Sequence, residues 1–216
     1  MSGQGALFPR EEGPLCSGCR WFRSCGASRT EFACQDIWGQ DNLGGEKVLH
    51  PGFQSTHELL DSIGGPDFEI RIRGTVVPDL PPFLPPIEIR SDLRGYLSED
   101  LYVVTTKEVV GTRKKPLSAS EIRGRLGLGD DVCIGLLLFG KDRYVERLWR
   151  EREELIPALA AGRFGFIGGP SYSTYLPRPR PEFFWATKRS LVTAKELQDA
   201  GASVIPESPG LPPLTR

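Results

Sequence analysis

Residues 131–140, DVCIGLLLFG, are the stretch that decides the fold. No charged or strongly polar side chain interrupts residues 132–139, so both faces of a strand formed there would be apolar. Strands of this kind lie in parallel sheets that are covered by helices on both faces. We therefore expect a fully buried strand that belongs to a parallel sheet.

An amphipathic helix is predicted directly after this strand, from Asp142 to Ala161, with a bend or an early end at Pro157. Its polar face holds two pairs at i,i+4 spacing, Glu146/Arg150 and Arg147/Glu151. The expected core face consists of Tyr144, Val145, Leu148, Trp149, Leu155, Ile156 and Leu159.

The alternation of strand and helix then continues. FGFIGG (residues 164–169) predicts a second buried strand, and SVIP (residues 203–206) predicts a third. Between them we expect a helix from Pro181 to Ala200, with Gly201 at the C′ position. Strands and helices that alternate at this spacing predict parallel strands joined by right-handed crossovers.

The part of the chain before residue 131 has weaker patterns. LYVVTT (residues 101–106) and FEIRIRG (residues 68–74) predict strands, the second half-exposed, and Ile87–Arg90 predicts a short strand after a proline-rich connection. Two short helices are expected, Ser55–Ile63 closed by Gly64 and Ser118–Leu126, because each begins with Ser followed three residues later by Glu.

These elements predict an α/β fold of parallel, partial TIM-barrel-like βα units, preceded by a cysteine-rich metal-binding segment. The predicted domain bounds are a flexible tail at residues 1–13, the cysteine-rich segment at 14–50, the α/β domain at 51–206 and a flexible C-terminal tail at 207–216.

Composition excludes some classes of function. The net charge is −1 with 25% charged residues, so no global attraction to nucleic acid or to an anionic membrane is expected. No run of about 18 apolar residues predicts a membrane span, and the first residues lack the pattern of a signal peptide. We therefore expect a cytoplasmic protein without a disulfide framework.

Four of the five cysteines, Cys16, Cys19, Cys25 and Cys34, follow the spacing C-x2-C-x5-C-x8-C. A C-x2-C turn places two thiolates on one ion or cluster edge. The segment holds too few apolar residues to fold alone, so a bound metal would supply the missing cross-link. Cys133, inside the apolar stretch, is expected to be a core residue. The four clustered cysteines therefore predict one metal site.

Spacing leaves the metal open between a [4Fe-4S] cluster and a structural zinc, and four unrelated free cysteines are the remaining alternative. Zinc sites usually have two knuckles separated by a dozen or more residues, whereas three of these cysteines fall within ten residues. Interleaved aromatic residues would shield a cluster from water. CSGCRWFRSCG (residues 16–26) also resembles the auxiliary-cluster segment of some radical-SAM maturases and the cysteine run of cluster-bearing nucleases.

Ligands of parallel α/β sheets bind beyond the carboxyl ends of the strands. The polar residues expected there as catalytic candidates are Lys141, Asp142, Ser171, Ser173 and Arg189. Residues 168–181, GGPSYSTYLPRPRP, form a hydroxyl-rich loop with two arginines that is suited to a phosphate, although an ordinary loop fits equally. For Lys188 and Arg189 the competing interpretation is a solvated helix face.

Other polar residues give less information. The two histidines, His50 and His57, fit surface positions better than metal binding or general-base catalysis. The glycine pairs form no GxGxxG or Walker motif. The argument for nucleic acid rests on basic residues of one loop and of the helix that follows it, and a solvated face explains them better. They are Arg113, Lys114 and Lys115 in the loop and Arg123 and Arg125 on the helix.

The order of these features resembles the DUF4417 domain proteins of bacteria and phages, from about residue 16 to residue 206. After the cysteine-rich start, the resemblance is carried by residues 48–53 (VLHPGF), 79–90 (DLPPFLPPIEIR), 123–149 and 170–206. The family tends to have a Pro-Asn-Phe-Ser-like block where this chain has Pro170–Ser173, and it continues into further strand–helix units. The resemblance implies part of a TIM-like barrel and brings no established activity.

Two kinds of function are therefore expected. In the first, the chain acts as an enzyme or an accessory factor on a nucleic-acid-related or phosphate-bearing substrate. In the second, it is a non-enzymatic interaction module with a structural metal, and a protein partner or a second copy covers an open sheet edge. An inert remnant of a mobile element is a third interpretation.

Overall fold

The computed structural model describes residues 60–65, 69–74, 79–172 and 180–206. The chain divides into two compact units. One comprises Met1–Asp67 and Tyr175–Trp185, and the other comprises Phe68–Thr174 and Ala186–Arg216. The predicted domain bounds stay predictions.

The second unit contains a parallel sheet of four strands, which confirms the α/β class. The strands lie side by side in chain order, and each pairs in parallel with the next. They are β1 (Leu101–Thr105), β2 (Cys133–Leu137), β3 (Phe166–Gly168) and β4 (Val204–Ile205). Three of these strands were predicted in the run from residue 131 onward, and β1 was predicted at residues 101–106.

A 3-10 helix lies at Ser91–Leu93, and five α-helices accompany the strands within residues 79–172 and 180–206. They are α1 (Thr106–Val109), α2 (Ala119–Leu126), α3 (Asp142–Arg150), α4 (Arg152–Ala161) and α5 (Arg180–Asp199). The helices and strands of the second unit share one hydrophobic core, in which Val104, Ile134 and Leu136 of the sheet meet Ile122, Leu148 and Leu159 of the helices.

The strand β2 is buried along its middle, as its apolar sequence predicts, and half-buried at both ends. Ile134, Gly135 and Leu136 are all buried although successive side chains point to opposite faces. Cys133 begins the strand and is half-buried, which is less than expected for a core residue, and burial raises the pKa of its thiol.

Gly135 lies where the sheet leaves no room for a side chain. A Cβ at this position would lie 2.5 Å from the Phe166 ring and 2.9 Å from Val103 Cγ1. Overpacking of a core typically costs about 1–3 kcal/mol. We therefore expect Gly135→Ala to lower the free energy of unfolding by that amount in chemical denaturation.

Gly124 provides the matched control, because it is exposed inside α2 and an added Cβ meets nothing within 4 Å. Gly124→Ala should raise the free energy of unfolding by about 0.5–1 kcal/mol, since alanine loses less backbone entropy than glycine in a helix. Equal effects of the two substitutions would contradict the close packing at Gly135.

The predicted long helix after β2 is two helices. The break lies at Glu151, whose φ of −109° and ψ of 24° leave the helical region, whereas Pro157 lies inside α4. The predicted break position was therefore wrong. The core face was predicted correctly apart from Trp149, which is half-buried.

Local capping sets several helix ends. Ser118 and Glu121 form both hydrogen bonds of a capping box at α2. The backbone N–H and the hydroxyl of Ser118 both donate to the carboxylate of Glu121 and lower its pKa. Gly201 has a φ of +95°, and the N–H groups of Gly201 and Ala202 bond the carbonyls of Gln198 and Leu197 at 3.0 Å. In the first unit, Gly64 has a φ of +71° and ends a helical turn after Leu60, while the predicted start at Ser55 lies outside the described residues.

Two predicted strands have other structures. Residues 69–74 have the expected alternation of exposed Arg71 and Arg73 with half-buried Ile70 and Ile72, but form no strand. The backbone of Arg73 instead bonds the side chain of Gln198, with its N–H donating at 2.9 Å and its carbonyl accepting at 2.8 Å. At the edge of β1, the predicted strand Ile87–Arg90 is replaced by one parallel bridge between Pro86 and Val103.

Candidate functional site

The carboxyl ends of β2 and β3 bring several predicted site residues to one edge of the sheet. The N–H of Ser171 donates to the carbonyl of Leu138 at 3.0 Å, which joins the loops after the two strands. Lys141 is exposed and precedes α3, while Asp142 is half-buried as the first residue of that helix. Lys141, Asp142 and Ser171 thus share this edge, and Ser173 lies outside the described residues.

Thr106 and Phe139 lie at the same edge and were not predicted as site residues. Thr106 is fully buried at the end of β1, and its hydroxyl donates to the carbonyl of Leu137 at 3.4 Å. Phe139 follows β2 and is 39% exposed. This edge of the sheet therefore combines an exposed ring with the ammonium group of Lys141.

Arg189 lies in a buried cluster formed by α3, α5 and the loop after β3. Its guanidinium donates to both carboxylate oxygens of Glu146, at 2.6 Å and 2.9 Å. The Arg189 side chain is 1% exposed and that of Glu146 is 33% exposed. Two parallel hydrogen bonds of this kind are the strongest geometry for an arginine–carboxylate pair. The Arg189 guanidinium is therefore bound to Glu146 and is not hydrated.

Two aromatic rings complete what we call the Arg189 cluster (Arg189, Glu146, Tyr172, Trp149 and Thr193). The guanidinium carbon lies 4.1 Å from the centre of the Tyr172 ring and 5.6 Å from that of Trp149. The two rings meet edge to face at 6.1 Å. Cation–π contacts of this kind are stronger in desolvated surroundings.

Tyr172 fixes the first part of the loop after β3. Its hydroxyl hydrogen-bonds that of Thr193 at 3.3 Å. Burial raises the pKa of Tyr172, and the Thr193 hydrogen bond and the Arg189 charge oppose that rise only in part. The phenol therefore remains protonated at neutral pH and serves as a hydrogen-bonding group.

The middle of α5 carries a row of buried polar side chains. They are Thr187, Lys188, Arg189, Ser190 and Thr193. The interpretation of Lys188 and Arg189 as a solvated face is therefore wrong. The predicted ion pair between Glu146 and Arg150 was wrong, because Glu146 pairs with Arg189. The predicted pair between Arg147 and Glu151 is confirmed, with 2.7 Å between nitrogen and oxygen.

Some of the basic residues that were considered for binding nucleic acid are instead buried in part or hydrogen-bonded within the chain. Arg123 donates to the carbonyl of Val132 at 3.2 Å, and Arg113 is half-buried. Lys114, Lys115 and Arg125 are exposed. A continuous basic surface does not follow from these placements.

The predicted metal ligands Cys16, Cys19, Cys25 and Cys34 lie outside the described residues, as do His50 and His57. Within the ranges that the structure describes, no group of three or more His, Cys, Asp or Glu side chains is arranged to hold a metal ion. In the same ranges, no helix is long and apolar enough to cross a membrane. No protein-family model, no curated protein and no solved structure matches the chain.

Proposed function

We propose that this chain is a metal-binding α/β protein in which Cys16, Cys19, Cys25 and Cys34 hold one iron–sulfur cluster or one zinc ion. The observation that carries the proposal is the spacing of these four cysteines within nineteen residues. Their thiolates suit either a tetrahedral zinc or a [4Fe-4S] cluster. Reduced cysteines in this number fit a cytoplasmic protein.

Four protein ligands leave no coordination position for a substrate, because structural zinc sites and four-cysteine clusters are complete with four thiolates. The metal would therefore stabilise its segment of the chain or transfer electrons. Any reaction on a substrate would take place elsewhere in the protein.

We place that reaction at the carboxyl edge of the sheet, where Lys141, Asp142 and Ser171 lie, with Ser173 and Arg189 as further candidates. A nucleic-acid-related or phosphate-bearing substrate suits the ammonium group and the hydroxyl-rich loop. A partial TIM-barrel-like architecture requires parallel strands that lie side by side in chain order, and the four strands have this order. The DUF4417 resemblance stays a prediction. The burial of Arg189 favours a positioning role for this residue rather than contact with substrate.

The second candidate function is a non-enzymatic interaction module whose metal is structural. Two observations favour it. The charged groups of the Arg189 cluster already bind each other, and the rings of Phe83 and Tyr96 are 80% and 83% exposed. Exposed aromatic residues are enriched at protein interfaces.

Anaerobic purification followed by metal analysis and a visible spectrum tests the proposal. A brown protein with broad visible absorption indicates an iron–sulfur cluster, because charge transfer between iron and thiolate absorbs at about 400 nm. A colourless protein with about one zinc per chain indicates a structural zinc site. A protein with neither metal would disprove the proposal.

A further inference from the structure

Two basic elements of the second unit meet at Gly111, in the loop that follows α1. Arg147 of α3 donates to the Gly111 carbonyl at 3.0 Å. The Arg113 guanidinium lies beside the same residue, since a Cβ added at Gly111 would be 3.0 Å from Arg113 Nη1. The loop continues with Lys114 and Lys115, which are both exposed. Positive groups from the loop and from α3 therefore form one surface.

The face of α3 that contacts this loop carries further arginines. Arg143, Arg147 and Arg150 are spaced i, i+4 and i+7, so they share one face of the helix. The Arg143 guanidinium donates to the Tyr144 hydroxyl at 2.6 Å, which holds it in place on the helix. Lys141 is exposed and directly precedes α3. The positive charge therefore extends from the loop to the carboxyl edge of the sheet.

We call this set of side chains the cationic surface, and its members are Arg113, Lys114, Lys115, Lys141, Arg143, Arg147 and Arg150. Glu151 compensates part of the charge, because its carboxylate lies 2.7 Å from Arg147 and 3.3 Å from Arg150. Among the residues that the structure describes, the other members of the surface form no ion pair. Of the remaining acidic residues of α3, Glu146 is bound to Arg189, and Asp142 is half-buried at the helix start. The cationic surface therefore keeps a strong net positive charge.

The chemistry of the cationic surface suits a phosphate backbone. Clustered like charges attract a polyanion, and a guanidinium group binds phosphate oxygens through two parallel hydrogen bonds. The ring of Phe139, 39% exposed, lies two residues before Lys141 at the same edge of the sheet. Proteins bind single strands by combining basic groups along the backbone with aromatic rings on which bases stack. A duplex keeps its base faces inside the stack, so it offers no partner for such a ring.

From these observations we infer that the cationic surface binds the backbone of a single-stranded nucleic acid and that Phe139 stacks on one of its bases, an inference that rests on the proposed nucleic-acid-related function and names its partner. The surface differs from the one considered from the sequence, because α3 takes the place of Arg123 and Arg125. Arg123 is bound to the carbonyl of Val132 before the start of β2, whereas Lys141 follows the end of that strand.

The test is fluorescence anisotropy of the full chain with a labelled dT strand of about 20 nucleotides. About five phosphate contacts should weaken binding about a hundredfold between about 50 and about 200 mM salt. K114Q/K115Q should weaken binding and reduce the slope of log K against log salt concentration by about 1.4. The control R73Q/R125Q removes the same charge from two exposed positions outside the cationic surface and should leave both quantities unchanged.

Phe139→Leu separates stacking from charge, because leucine keeps an apolar side chain but offers no ring. It should weaken binding of the dT strand about tenfold, with the salt slope unchanged, and should not affect binding of inorganic polyphosphate, which has no bases. Near-ultraviolet circular dichroism checks that each variant folds.

Several results would overturn the inference. They are absent binding of the dT strand, equal losses in K114Q/K115Q and R73Q/R125Q, no effect of Phe139→Leu, and tighter binding of a duplex, of polyphosphate or of anionic vesicles than of the dT strand. Metal content is measured on the same preparations. A chain that holds its metal but binds no dT strand therefore contradicts this inference alone, whereas a chain without metal contradicts the proposed metal site.

Discussion

Replacing Cys16 or Cys25 by serine is expected to remove the metal from the purified chain. A serine hydroxyl is not ionised at neutral pH and does not substitute for a thiolate at zinc or iron. Metal content should fall from about one zinc, or about four irons for a [4Fe-4S] cluster, to near zero per chain. If the metal is iron, the visible absorption should disappear as well.

Cys133→Ser is the matched control for these substitutions. Cys133 begins β2, where burial raises the pKa of its thiol and so disfavours the thiolate that binds metal. The Cys133→Ser protein should therefore keep its full metal content and its spectrum. Metal loss in this variant, or full metal in the Cys16→Ser variant, would contradict the assignment of the four ligands.

The strands and helices could be predicted where the pattern of apolar residues reports burial. The stretch from Val132 to Phe139 predicted β2, and Ser118 with Glu121 predicted the start of α2. Each of these signals is contained within a few neighbouring residues, so a single sequence is enough to recognise it. Residues 69–74 show the limit of this approach. Their alternation predicted burial correctly, but not that the partner of Arg73 is the side chain of Gln198.

The edge that gathers Lys141, Asp142 and Ser171 could be predicted, because parallel strands place their carboxyl ends together. The Arg189 cluster could not. Glu146 and Arg189 are 43 residues apart in the chain, and the local i,i+4 rule assigned Glu146 to Arg150 instead. A single sequence carries no signal that joins two charged residues on different helices, so their pairing required the three-dimensional structure.

Breaking the pair between Glu146 and Arg189 is expected to lower the free energy of unfolding by about 3 kcal/mol, because removing one partner of a buried pair leaves the other charge buried. Glu146→Leu should lower the free energy of unfolding more than Arg189→Met does, because it deprives the more deeply buried charge of this partner. The guanidinium is 1% exposed, whereas the carboxylate is 33% exposed and can regain water. Chemical denaturation of both variants measures this difference.

The double variant E146L/R189M should be more stable than the sum of the single effects predicts, by about 1–3 kcal/mol, because it leaves no unpaired charge. Lys195→Met is the control. Lys195 forms an i,i+4 pair with Asp199 on a more exposed part of α5, and such pairs contribute only about 0.3–0.5 kcal/mol. Additive effects of the two cluster substitutions would show that the pair does not stabilise the fold.

Glu146→Gln separates a positioning role of Arg189 from a role in binding anions. If Arg189 lines a phosphate site, neutralising its carboxylate partner should strengthen the binding of inorganic phosphate, because the guanidinium charge is no longer compensated. If Arg189 holds Tyr172 and the loop after β3, phosphate affinity should stay the same while the near-ultraviolet circular dichroism of the Tyr172–Trp149 pair changes. We expect the second result, since the ring of Tyr172 lies 4.1 Å from the guanidinium and covers it.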